Sequence, residues 1–374
     1  MRKKLNFNRV VVKVGSSSLT YDNGKLSFYK IERLVRQLAD LKNRGVELIL
    51  VTSGAIGAGM GILGYDTKPA TIPEKQACAA VGQGSLMHLY EKYFAEYGNV
   101  VGQILLTKED VSDRKRFLNA RHTLDTMLKA GIIPIINEND AIAVSEIKIG
   151  DNDTLSALVS TLVNADVLIL LSDVDGLFDK NPSEYDDAEI IKEVFEIDDN
   201  ILSLAGGSSS KVGTGGMKTK IDAAVISVSS GVNMIISNSE TENVLLKILN
   251  GEEIGTLFVA KEHKLKLKKN WIAYNAKSEG TLYVDEGAKN AVLSDKSLLP
   301  SGIVEVSGEF RRGDTVDIKY KEDIIAKGLV NFSSEDLILI SGKKSSEFEK
   351  ILGRMDYDEA VHKNNLVLKA VFTK

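Results

Sequence analysis

The chain has 374 residues, enough for two domains and a sizeable core. A hydrophobic content of 43% excludes a disordered chain, and a formal net charge of -5 argues against a general nucleic-acid binder. Cys78 is the single cysteine, so an intrachain disulfide and a cysteine-rich zinc site are excluded, and a reducing compartment is the simplest setting. The opening stretch MRKKLNFNRVVVKVG is basic but has no apolar signal core. No apolar run approaches the ~20 residues that a membrane span needs. A soluble, cytoplasmic protein is expected.

Residues 7–15 read as a first strand, with Val10, Val11, Val12 and Val14, interrupted by Lys13 just before Gly15-Ser16-Ser17-Ser18. Ser27 caps an amphipathic helix whose apolar positions Phe28, Ile31, Leu34, Val35, Leu38 and Leu41 follow helical spacing, and Gly45 ends it. Residues 46–51 form a second apolar strand that runs into Thr52-Ser53-Gly54-Ala55. A glycine-rich stretch follows, and Pro73 starts a helix expected to reach about Tyr97. Residues 100–106 are strand-like, 117–129 helical, 132–136 a strand, 166–171 another, and 232–236 a late one. Short apolar strands alternating with helices indicate an α/β fold with a mainly parallel open sheet sandwiched by helices.

The pattern changes after Phe258. Residues 261–269, KEHKLKLKK, are polar and basic and read as linker. From Lys277 the segments are short and β-like, separated by turns such as Glu286-Gly287, Gly308 and Gly313-Asp314. The expected organisation is a catalytic domain over 1–258, a linker over 259–276, a small β-rich domain over 277–358 and a tail over 359–374.

Chemistry concentrates in a few loops. The stretch IINENDAIAVSEIKIGDNDTLS, residues 135–156, leaves an apolar strand and carries two acid-amide clusters. One is Asn137 to Asp140, the other Asp151-Asn152-Asp153. Ligands of open α/β sheets bind beyond the carboxyl ends of strands, where such clusters suit a polar ligand better than a core. Turn chemistry alone also favours Asn, Asp and Gly. Lys13 and Gly15 form an anion-ready turn, and a second glycine-rich loop, KVGTGGMKTK over residues 211–220, opens a later helix. It is not a Walker A loop, because Met217 separates the glycines from Lys218-Thr219. Glycines 57, 59 and 61 do not make a dinucleotide fingerprint. His88, His122, His263 and His362 stand in no ligand or triad spacing and read as surface or packing residues, and Asp173-Val174-Asp175-Gly176 lacks the remaining ligands of a calcium loop. Two lysine-bearing loops on one sheet fit phosphoryl transfer, whose catalysis is mostly positioning and charge stabilisation. A carboxylate such as Asp153 can hold both lysines in place.

The segments VVVKVGSSSLT, LVTSGAIGAG, KQACAAVGQ, LLTKEDV, RFLNARHT, PIINENDA, EIKIGDNDTLSALV, LLSDVDGL and GTGGMKTK, in this order, resemble the glutamate 5-kinase family of the amino acid kinase superfamily. The stretch from Gly280, GTLYVDEGAKNAVL followed by SLLPSGIVEVSGEFRRGDTVDI, resembles a PUA domain. The resemblance implies ATP-dependent phosphorylation of the γ-carboxylate of L-glutamate, the first step of proline biosynthesis. It implies that Lys13 and Lys220 stabilise the transferring phosphoryl group and that Asp153 orients them. It places glutamate on Ser53, Gly54, Asn137, Asp140 and Asn152. It places ATP on Lys13, Gly15, Ser172, Asp173, Thr214, Gly215, Gly216, Met217, Lys218, Thr219 and Lys220, with Mg2+ as cofactor and no separate metal-ligand set. Proline as feedback inhibitor and a homo-oligomer follow from the same resemblance. PUA domains elsewhere often bind RNA, and an RNA-binding protein is the alternative from another class. Residues 277–358 carry 12 Lys and Arg against 16 Asp and Glu, a net charge of -4 that argues against it. A third reading keeps the kinase and changes the acceptor to another amino acid or carbamate. The Ser53-Gly54-Ala55 and Asn137 to Asp140 motifs favour glutamate.

Overall fold

Apolar runs without polar alternation need cover on both faces. Eight strands meet that need in one sheet: β1 (Arg9–Val14), β2 (Glu47–Val51), β3 (Val101–Leu106), β4 (Ile133–Glu138), β5 (Val167–Ser172), β6 (Glu193–Val194), β7 (Asn233–Asn238) and β8 (Thr256–Phe258). The computed structural model describes residues 7–21, 25–67, 69–142, 151–204, 216–260, 267–353 and 357–369. The strand order is β3-β4-β2-β1-β5-β7-β8-β6. All neighbours are parallel except β7 and β8. The short strands β6 and β8 escape the sequence reading because two or three residues carry no period. β1 lies between β2 and β5, with Val10, Val11 and Val12 fully buried. The chain leaves β1 for β2 on one side and later fills β5 and β7 on the other. That reversal opens a crevice at the carboxyl ends of β1 and β5.

Helices α1 (Phe28–Asn43), α2 (Ala55–Leu63), α3 (Ile72–Glu96), α4 (Lys108–Ser112), α5 (Arg114–Lys129), α6 (Asn152–Leu162), α7 (Asp199–Leu204), α8 (Met217–Ser229) and α9 (Val244–Leu249) accompany the strands of this sheet along the chain. Ser27 accepts from Lys30 N at the start of α1, and Ile31, Leu34, Val35, Leu38 and Leu41 are buried along one stripe, as their spacing predicts. A capping box between Thr71 and Glu74, with Pro73 in the first turn, starts α3. The glycine-rich stretch after Ser53 is helical, although glycine disfavours helices. Tertiary packing explains it. A Cβ on Gly59 would lie 1.8 Å from the Cys78 carbonyl oxygen, and one on Gly82 would lie 1.8 Å from that of Ala55. The glycines let α2 and α3 touch backbone to backbone.

One expectation changes at β4. The strand does not stop at Ile136 but continues through Asn137 and Glu138, both buried. Pairing with β3, Leu105 opposite Asn137 and Leu106 opposite Glu138, carries the strand past its apolar run.

The second compact unit comprises residues 112–114 and 265–374, the first 1–111 and 115–264. In the second, α10 (Leu267–Asn270) and a wider helical turn (Trp271–Asn275) occupy part of the stretch read as linker. Trp271, Ile272, Ala273 and Ala276 are buried, which apolar residues achieve by packing rather than by staying extended in water. Its sheet has the order β10-β9-β11-β12-β13, with β9 (Ser278–Val284), β10 (Ile303–Gly308), β11 (Thr315–Tyr320), β12 (Asp323–Leu329) and β13 (Leu366–Leu368). Neighbours are antiparallel except β9 and β11. β13 lies within the stretch read as tail and pairs with β12 through Leu366, Val367 and Leu368. The helices α11 (Glu286–Leu293), α12 (Ser334–Ile340) and α13 (Phe348–Leu352) accompany the sheet; Glu286-Gly287, read as a turn, instead opens α11, because Asp285 caps the helix by accepting from Ala288 N. No described helix is long and apolar enough to cross a membrane.

Candidate active site

Lys13, near the end of β1, is only 8% exposed, and burying an ammonium is costly unless it is paired. Its partner is Asp153, 1% exposed in the first turn of α6, with Lys13 Nζ 2.5 Å from Oδ1. The other carboxylate oxygen accepts from Lys220 Nζ at 3.0 Å, and Lys220 is 5% exposed in the first turn of α8. Thr219 Oγ1 reaches the same oxygen at 3.1 Å. Three elements remote in sequence thus meet on one carboxylate. Burial by itself raises the Asp153 pKa, but the charges and hydrogen bonds of Lys13 and Lys220 outweigh it and hold the carboxyl below its usual range. Asp153 stays ionised and keeps two cations at the crevice.

Beside this ionic cluster lies a neutral one. Asn152 Nδ2 donates to the Thr52 carbonyl at 3.0 Å, to Ser53 Oγ at 2.8 Å and to Asn137 Oδ1 at 3.1 Å. Ser53 Oγ accepts there, which leaves its own proton to donate. The opposite Asn152 oxygen is buried with no partner among the described residues. Asp151 caps α6 by accepting from Thr154 N at 2.8 Å. Asp140 is half-buried in the turn after β4.

Helix starts divide into two kinds. Ser27, Thr71 and Asp151 cap α1, α3 and α6 with side chains. Gly54 and Gly216, at the starts of α2 and α8, supply no side-chain cap. With no side-chain cap, their first N–H groups suit an anion, and the helix dipole favours one there. Gly54 has φ of 99°, a left-handed conformation that glycine adopts without strain.

The loop after β1 reaches β5, where Gly15 N donates to the Leu171 carbonyl at 3.4 Å. Ser172 Oγ donates to Asp173 Oδ1 at 2.9 Å, and Ser239 N donates to the Ser172 carbonyl at 2.8 Å. Asp175 accepts from Asn238 at 2.8 Å, a structural use of the motif that resembles a calcium loop. Lys218 is exposed and Met217 half-buried. Thr214 and Gly215 lie outside the described residues. The structure brings Lys13, Asp153 and Lys220 together, and separately Ser53, Asn137 and Asn152. Sequence reasoning missed Thr52, Gln83 and Tyr90, which hold the second group. The available signal was a polar pair, Gln83 and Tyr90, on the otherwise apolar buried face of α3.

The sheet, its crevice and the lysine–carboxylate cluster define a class that the comparisons identify. Residues 8–238 match the amino acid kinase family, and residues 280–352 match the PUA domain. A solved carbamate kinase from Giardia lamblia, bound to AMP-PNP, shares the fold with a TM-score of 0.50 at 17% identity, over 68% of this chain and 99% of that one. The glutamate 5-kinase of Thermoanaerobacter sp. (strain X514) is 56% identical over 96% of this chain and 97% of its own. That of Carboxydothermus hydrogenoformans is 53% identical over 97% and 98%. The chain belongs to the amino acid kinase family and, within it, to the glutamate 5-kinases.

Proposed function

We propose that the protein transfers the γ-phosphoryl group of ATP to the side-chain carboxylate of L-glutamate, forming L-glutamyl 5-phosphate for proline synthesis. The observation that carries this reading is the buried bridge Lys13–Asp153–Lys220. It presents two cations from β1 and α8 to the crevice, where a transferring phosphoryl group gathers charge. Asp153 is a positioning residue, because both its oxygens are engaged by Lys13 and Lys220. The acceptor carboxylate is already ionised near neutral pH, so the step needs no general base. Glutamate lies on the neutral side: Ser53 and the open start of α2 donate to a carboxylate, while Asp140 and the unpaired Asn152 oxygen accept from the ammonium. ATP lies over Gly15, Ser172, Asp173 and the start of α8, with Thr214 to Lys220 along its phosphates. Among the described residues no three acidic, histidine or cysteine side chains are grouped to hold a metal ion. Mg2+ would arrive with the nucleotide, held mainly by phosphate oxygens and water, with at most one or two carboxylates. Asp151, which caps α6 and whose Oδ2 is buried without a partner among the described residues, is one candidate. When bound, the cation would neutralise phosphate charge.

Proline carries the same α-carboxylate and amino groups as glutamate and is assigned here as a competitor at the glutamate site, with residues 53–64 contributing to the response. A homo-oligomer in the cytoplasm completes the reading. The test is purified protein with Mg-ATP, a panel of amino acids and carbamate, and hydroxylamine to trap any acyl phosphate. Hydroxamate from glutamate, suppressed competitively by millimolar proline, is the expected result. A product from another acid and none from glutamate would overturn the substrate.

A further inference from the structure

Helix α3 buries two polar side chains seven residues apart, Gln83 and Tyr90, in a face otherwise made of Cys78, Ala79, Gly82, Leu86 and Phe94. A core face has no use for them unless they hold something. Each reaches the carboxyl end of a different central strand. Gln83 Oε1 accepts from Asn137 Nδ2 at 2.9 Å, at the end of β4. Tyr90 OH lies 2.7 Å from Thr52 Oγ1, just beyond β2. Tyr90 and Thr52 are both fully buried, so water cannot replace either group.

The directions of these bonds follow from the donors available. Asn137 uses its amide hydrogens on Gln83, which turns Oδ1 toward Asn152 Nδ2 and Glu138 N, at 3.1 Å and 2.9 Å. Thr52 Oγ1 donates to the Ser53 carbonyl at 3.1 Å, so the Tyr90 hydroxyl supplies the proton between Tyr90 and Thr52. Pinning the Ser53 carbonyl sets the plane of the Ser53–Gly54 peptide. Because that plane is rigid and trans, the Gly54 N–H points the opposite way. The same carbonyl-side loop receives Asn152 through the Thr52 carbonyl and Ser53 Oγ.

We infer that Gln83 and Tyr90 are positioning residues that set the acid-substrate half of the crevice from outside it. Tyr90 orients the Ser53–Gly54 peptide at the open start of α2, and Gln83 selects the orientation of the Asn137 amide, hence that of Asn152. Their hydrogen bonds run to Asn137 and Thr52 rather than to Lys13, Asp153 or Lys220, so nucleotide binding should be independent of both. Backbone contact between α2 and α3 at Gly59 and Gly82 makes α3 a rigid support for this task. The inference rests on the assignment of glutamate to the neutral cluster.

The test uses near-isosteric variants of the full chain: Tyr90→Phe, Thr52→Val, their double variant, and Gln83→Met. KM for glutamate, KM for ATP and kcat are measured beside thermal stability. One lost hydrogen bond predicts that Tyr90→Phe and Gln83→Met each raise glutamate KM by about 2- to 12-fold, with ATP KM unchanged. Tyr90→Phe and Thr52→Val remove a shared bond, so the double variant exceeds the larger single effect little or not at all. A lower melting temperature with both KM values unchanged, or equal changes in both, overturns the inference, because a merely structural role moves no glutamate-specific constant. Wild-type protein run alongside separates the two levels. No acyl phosphate from wild type and glutamate overturns the substrate reading beneath the inference. An active wild type with unchanged variants overturns the positioning role alone.

Discussion

The two compact units bury different chemistry. The first encloses Lys13, Asp153 and Lys220 with Asn137, Glu138, Gln83 and Gln37, whereas among the described residues of the second the buried polar ones are Thr315 and Ser334. In the second unit, basic side chains lie over aromatic rings, as Lys289 does over Tyr320 at 4.4 Å and Arg312 over Tyr357 at 4.5 Å. Its core, built on Leu282, Val316, Ile318, Leu337 and Phe348, is what a sheet with helices needs for stability alone. Buried ions are a poor way to stabilise a fold, since desolvation can exceed the mutual attraction. Where a protein retains them in a crevice, function is the better explanation. The comparison supports the proposal that the chemistry resides in the first unit and that the second has a separate role.

The largest effect that would break this division is expected at the lysines. Lys13→Ala or Lys220→Ala should lower kcat by about 100- to 1000-fold, the scale of one lost charge-stabilising donor, with a much smaller change in glutamate KM. Steady-state kinetics decides it, and near-normal kcat in either variant would make the buried cluster structural. Asp153→Ala tests the same cluster through stability. Removing one member of a buried ion network costs about 3–5 kcal/mol. Asp153 has a lowered folded pKa, so its contribution is present above the unfolded carboxylate value of about 3.9 and is lost as pH falls through the folded value. The stability gap between wild type and variant, read by denaturant melts, should be full near pH 7 and shrink in strong acid.

Asp140→Ala sharpens the comparison within the first unit. It should raise glutamate KM by about tenfold, as the loss of a charged partner worth ~1.5 kcal/mol does, and leave ATP KM unchanged. An unaltered glutamate KM would remove Asp140 from the ammonium site. The smallest effect is expected from deleting the second unit. A chain ending near Lys261 should keep kcat within about twofold, with altered regulation or assembly at most, because every proposed kinase residue precedes that point. The isolated segment 277–374 should show no submicromolar, salt-sensitive RNA complex, given the net charge of -4 over residues 277–358. A folded but inactive truncation, or such a complex, would undo the assignment of chemistry to one unit.

Sequence by itself determined the strands of the first unit with five or six residues, the helix α1 and the loops where chemistry gathers. Apolar runs, a 3.6-residue stripe and glycine or serine boundaries are local signals, and each records one element without reference to another. The ordered motifs also marked Lys13, Asp153 and Lys220 as residues of one family. Tertiary structure decided what no local signal contains. It made a helix of the glycine-rich stretch, because α3 offers a backbone surface that Gly59 can meet without a Cβ in the way. It carried β4 on through Asn137 and Glu138, because β3 supplies the pairing partners. It joined Leu366–Leu368 to β12 and buried Trp271, since burial depends on what lies opposite in space. It also placed Gln83 and Tyr90 against residues 54 and 38 positions away in sequence, Asn137 and Thr52. A polar side chain in a helix looks the same in sequence whether it meets water or a buried hydroxyl, and only the folded chain provides the partner that distinguishes them.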